Sequence, residues 1–180
     1  AFSSGCFFAY LGGAPFVGTE VYGLDAGLLG IYFGAPALGY LVGNFFSGRY
    51  SARAGINRMV LWGCLTCTSG VAVSLVVLAA GAGSVETFFG FMTFVGLGNG
   101  MVLPNATAGA LSVRPHLAAT ASGLSGATML GGGAGLSALA GALLTPASGA
   151  WPLLAIMLTV SVLSIGAILL VIARERQLGL

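Results

Sequence analysis

Lysine is absent from this chain of 180 residues, and charge of either sign is scarce: six arginines, four acids and a single histidine, His116. Charged residues make up 6% of the chain, against about a quarter in a soluble domain. With 57% hydrophobic residues, a water-soluble globule is excluded, because it would expose far too much apolar surface. With no lysine and no basic patch, nucleic acid is not an expected partner. The three cysteines, Cys6, Cys64 and Cys67, all lie in apolar runs. With one distant histidine they are too few for a metal centre, and they read as small apolar residues. No acid or arginine falls within an apolar run. A buried carboxylate that could carry protons is therefore missing, and so is the nucleophile-and-base pair of a membrane-embedded enzyme. No enzymatic activity and no cofactor are expected. The chain also opens in an apolar run, with neither a charged leader nor an initiator methionine, and so reads as a fragment.

What is present is a series of apolar runs long enough to cross a bilayer, each of about 20 residues. Six are expected to be helices, over roughly 1–19, 27–46, 59–80, 87–111, 117–144 and 151–173. The fold class is thus an all-α membrane protein whose first partner is lipid; no alternating pattern suggests a barrel. Arg49, Arg53 and Arg58 follow the second run, Arg114 the fourth, and Arg174 and Arg176 the sixth. Six crossings put all of these on one side, while Glu20, Asp25 and Glu86 fall on the other. The positive-inside rule makes the arginine side cytoplasmic, and with it both termini.

Several segments could carry function. In the first run, Gly12, Gly13 and Pro15 should interrupt or kink the helix, as a hinge beside a cavity or as a packing kink. Phe7 and Tyr10 precede that point, and the Tyr10 hydroxyl could face a polar cavity. Gly30, Gly34, Gly39 and Gly43 form a small-residue stripe in the second run. The fifth run holds Gly123, Gly126 and Gly135 besides Gly131, Gly132 and Gly133, which serve close packing or a flexible point. The fourth run contains Asn99, Pro104 and Asn105, with Phe91 and Phe94 earlier on it. The two asparagines point about 120° apart on a helix. One is expected at a substrate and the other on a neighbouring helix or on backbone freed by Pro104. The sequon at Asn105 is discarded, since it falls at membrane depth or on the cytoplasmic side. The segment 48–58 is expected to be a cytoplasmic loop. There Gly48, Arg49, Arg53 and Gly55 would anchor the membrane face or gate it, with Arg114.

The spacing Gly48-x-x-x-Ala52-Arg53-x-Gly55 resembles the loop motif of major facilitator transporters, departing from it at Ala52, where the motif has aspartate, and near Ile56 and Asn57, where it has basic residues. The stretch from Gly96 to Gly126, GLGNGMVLPNATAGALSVRPHLAATASGLSG, resembles the bicyclomycin and chloramphenicol resistance (Bcr/CflA) subfamily of drug:proton antiporters. FFAYLGGAPFVGTEVYG and GYLVGNFFSGR resemble the same subfamily in the same order. The resemblance implies residues 1–180 to be the C-terminal six-helix half of a twelve-helix transporter in a bacterial inner membrane. Its first and fourth spans would line a cavity for a small amphipathic drug, exchanged for protons. The bets for that cavity are Phe7, Tyr10, Phe91, Phe94 and Asn99. Its second and fifth spans would pack on an absent N-terminal half. A carrier of a neutral metabolite and a non-transporting helix-packing subunit are the alternatives.

Overall fold

The computed structural model describes residues 1–113 and 115–179, so the expected role of Arg114 lies outside the described residues. Every described regular element is helical. They are α1 (Phe2–Phe16), α2 (Ala26–Phe33), α3 (Ala35–Ala54), α4 (Ile56–Ala79), α5 (Val85–Ser112), α6 (Ala118–Leu143) and α7 (Trp151–Leu178), with a π-helical turn at Val17–Val21 and a short 3-10 turn at Pro115–Leu117. Among the described residues, five segments are long and apolar enough to cross a bilayer: the α2–α3 rod Ala26–Ala54, then α4, α5, α6 and α7. α1 passes without interruption into its π turn, and the two together reach about 30 Å at 1.5 Å per residue. These are the helices of a multi-pass membrane protein.

Local chemistry sets the helix ends. The Asp25 carboxylate accepts the backbone N–H of Gly27 (2.8 Å) and Leu28 (2.9 Å), so it caps α2. Ser84 and Thr87 form a reciprocal capping box at the start of α5. Pro36 has no N–H, and the rod breaks just before it at Gly34. Gly55, at φ 87°, ends α3 by taking a backbone conformation that a side chain would strain, and α4 starts at once.

Two expectations are corrected here. The segment 48–58 is not a loop: Gly48, Arg49 and Arg53 lie on the last turns of α3, and Gly55 alone separates α3 from α4. An arginine marks the approach to water, not the end of a helix, and from Ser47 to Ala54 there is no proline and only Gly48 as a weak helix former, a cost of about 1 kcal/mol that α3 absorbs. The first run is likewise not broken at Gly12 and Gly13. α1 runs on through Pro15, and the irregularity follows it as the π turn, where the Thr19 hydroxyl donates to Pro15 O (3.1 Å).

α5 is the central helix, flanked by α3 and α4. α3 runs parallel to it: a methyl group built on Gly39 would overlap Thr93 O, and one on Gly43 would overlap Leu97 O. From the other side, one on Gly96 would overlap Pro36 O and one on Gly100 would press on Tyr40 O. α4 runs antiparallel, with Gly63 against Gly98 and Gly70 against Phe91 and Phe94. In lipid, where apolar surface gains little from leaving its surroundings, such close backbone approach supplies much of the association energy. α1 runs parallel along α6, with Phe8 on Gly133 and Gly12 on the backbone of Ser137, and Gly13 meets Leu153 at the start of α7.

The two ends of the bundle differ in charge. Asn57 at the start of α4 donates to the Glu175 carboxylate at the end of α7, which places Arg58, Arg174 and Arg176 at one end, with Arg49 and Arg53 of α3 beside them. All five are exposed. At the opposite end are Asp25, Glu20 and Glu86, where the Tyr32 hydroxyl donates to Glu86 at 3.5 Å.

Candidate functional site

A cavity of about 320 Å³ lies between α1, α3, α5 and α6. This is at the small end of ligand pockets, which start at about 300 Å³. Each helix contributes one face to it. α1 supplies Ser4, Phe7 and Phe8, α3 supplies Pro36 and Tyr40, α5 supplies Gly96, Asn99 and Leu103, and α6 supplies Met129. The steps of three and four residues along α1, α3 and α5 are those of a single helix face. No lining residue carries charge. The wall is aromatic and aliphatic, with a few polar atoms set into it.

Those polar atoms are differently engaged. Asn99 is 2% exposed. Its Nδ2 donates to Val95 O (3.0 Å), and its Oδ1 accepts from the Ser3 hydroxyl (3.0 Å), which ties α1 to α5 at the cavity wall. The Ser4 hydroxyl, also buried, has no hydrogen-bond partner. The arrangement can hold an uncharged or weakly polar molecule. A buried phosphate or carboxylate would need a cation that this wall does not contain.

Of the residues singled out from sequence, Phe7 and Asn99 line the cavity, and three others do not. Tyr10 is fully buried beside it. Its ring stacks on Phe33 at 5.2 Å, and its hydroxyl donates to Phe33 O at 3.0 Å. The break at Gly34 frees that carbonyl, because Ala37 N–H turns to Gly34 O instead. Tyr10 therefore satisfies the broken rod and does not face an open cavity. Phe91 and Phe94 stand on the α4 side of α5, around Gly70, and Phe94 is 44% exposed on the outside of the bundle. Asn105 faces α3: its Nδ2 donates to the Ser47 hydroxyl and to Met101 O, both at 2.8 Å. It bonds a neighbouring helix, as one of the two asparagines should, although the carbonyl it takes is not the Gly100 O left unpaired by Pro104.

The glycines divide in the same way. Gly39 and Gly43, expected to meet an absent half, find their partner within the chain, on α5. On α6, Gly133 packs on the Phe8 ring, while Gly131 and Gly132 meet nothing, like Gly123, Gly126 and Gly135. Ser4, Phe8, Pro36, Tyr40 and Met129 were missed. Pro36 and Tyr40 are one turn apart beside the Gly39 stripe, the one sequence signal that could have marked that face. No family model, no curated protein and no solved structure matches this chain.

Proposed function

We propose that this chain is the C-terminal six-helix half of a drug exporter that works by proton antiport and alternating access in a bacterial inner membrane. The uncharged aromatic cavity carries this reading. It lies among four helices of a membrane bundle, one of them carrying a proline and running into a π turn and another broken at Gly34, and it suits an amphipathic molecule. The protons would be handled by an N-terminal half, since every acid of this chain stands at an end of the bundle. The arginine end faces the cytoplasm, where Arg49 and Arg53 anchor α3 or pair across the gate.

Transport tests the cavity. In an efflux-deficient host expressing the whole reading frame, Phe7→Ala should cut drug export about tenfold, the effect of losing about 1.4 kcal/mol of ligand contact. Phe94→Ala, outside the cavity, should leave export unchanged. Equal losses from both variants, at equal protein levels, would remove the cavity from the mechanism.

Labelling tests the orientation. The native cysteines are at most 1% exposed, so background reaction with a membrane-impermeant maleimide should be low. In intact spheroplasts Glu86→Cys should label and Arg53→Cys should not, until the membrane is opened. The reverse order would invert the topology.

A further inference from the structure

Cys6 of α1 and Cys67 of α4 meet in the core, with their Sγ atoms 3.8 Å apart. They are 0% and 1% exposed, and both thiols are free. Both belong to the apolar core that also holds Val71, Val95 and Met157, and Gly98 of α5 lies directly against Cys67. Cys64 is one turn from Cys67 on the same helix and equally buried. Among the described residues no group of three or more histidines, cysteines or acids converges.

We propose that Cys6 and Cys67 form a two-sulfur site for a soft divalent cation, the mercuric ion, held linearly between α1 and α4. The donor set selects the metal. Zinc asks for four ligands at tetrahedral angles, and two thiols cannot supply them. Soft ions prefer thiolate sulfur to the oxygen and nitrogen donors missing here. Charge then separates the soft ions from one another. Two thiols that lose their protons to one divalent ion give a neutral complex: a metal–sulfur bond replaces each S–H bond and each metal–chloride bond of mercuric chloride, and two protons and two chloride ions leave. No electrons move, so no oxidant is needed. A monovalent copper or silver ion would leave one net negative charge among apolar side chains, with no cation beside it, and burial of a lone charge is costly. The geometry is close to what is required. With the zinc–sulfur length of about 2.3 Å as the lower bound for the larger mercuric ion, two bonds laid end to end span at least about 4.6 Å, so each sulfur has to withdraw by some tenths of an ångström. Mercuric chloride is itself uncharged and can enter through lipid. The bound ion would fasten a wall of the cavity, α1, to a helix that α1 otherwise meets only by packing. The site stands on the cysteine geometry alone and does not depend on the transport reading.

Titration of the purified chain in detergent with mercuric chloride tests this. Sulfur-to-metal charge-transfer absorbance should saturate at one equivalent per chain and consume two thiols. Cys6→Ser and Cys67→Ser should each weaken binding by more than about a hundredfold, beyond what loss of an outer-shell group does, and Cys64→Ser should leave it intact. A tenfold excess of zinc should not compete. Because a serine in the core could disturb folding, the native protein provides a second measurement. After cleavage at Arg49, Arg53 and Arg58, the fragments carrying Cys6 and Cys67 should stay joined by the metal and separate when a small dithiol is added. Saturation at three equivalents, loss of the site in Cys64→Ser, competition by zinc, or fragments that part without the dithiol would each overturn the assignment.

Discussion

Gly96→Val should leave little or no folded protein. The new Cβ would be built into the backbone of Pro36, overlapping its carbonyl oxygen and carbon. A backbone cannot swing aside as a side chain can, so α3 and α5 must part along their whole seam. Overpacking of a core costs about 1–3 kcal/mol when side chains can yield. Here they cannot, and the cost should reach or exceed the top of that range, a large share of a stability of about 5–15 kcal/mol. Gly39→Leu attacks the same seam from α3, against Thr93 and Leu97, and should fail in the same way. Gly132→Ala is the control. A methyl group there meets nothing, and alanine improves helix propensity by up to about 1 kcal/mol. Yield of monodisperse protein in detergent and its melting temperature are the measurements. A Gly96→Val variant that melts with the wild type would mean that α3 and α5 do not meet at this seam.

Tyr10→Ala should be the next most damaging change, at about 3–5 kcal/mol for an aromatic ring removed from a packed core. The ring is fully buried, stacks on Phe33 and meets Phe89 edge-on at 6.4 Å. Tyr10→Phe keeps the packing and removes only the hydrogen bond to Phe33 O. It should cost about 0.6 kcal/mol and no more than about 1.7 kcal/mol, the mean and the maximum for such bonds between membrane helices. Reversible unfolding in mixed micelles separates the two. If the two variants lose equally, the hydroxyl outweighs the ring, and the rod break at Gly34 depends on it more than on packing. If neither loses stability, Tyr10 does not occupy the core.

These two predictions concern features that differ in how far they can be read ahead. The Gly39 and Gly43 stripe was visible as a pattern, and so was the expectation that a helix would press against it. Which helix was not visible. All six long segments carry small residues, and a glycine has no side chain to state its preference. Tyr10 was visible as a hydroxyl in an apolar run, but its acceptor is a carbonyl 23 residues away, freed by a break. No local rule couples the two. Arg49 and Arg53 were visible as water-seeking residues. That they ride on a helix follows from the absence of proline between Pro36 and Gly55, with Gly48 too weak a breaker to end α3, a signal outweighed by the charge.

Length and polarity are properties of consecutive residues. The chain alone therefore settled that its segments are helices, about where each begins, and that the five described arginines and most of the acids gather at opposite ends. Which side of each helix looks inward depends on its neighbours. In soluble proteins a polar face gives that away, but these helices are apolar all round, as lipid permits. The cavity wall from Ser4 to Met129, the displacement of Phe91 and Phe94 from it, and the meeting of Cys6 with Cys67 came only from packing, where backbone contact and buried hydrogen bonds choose among faces that hydrophobicity leaves equal.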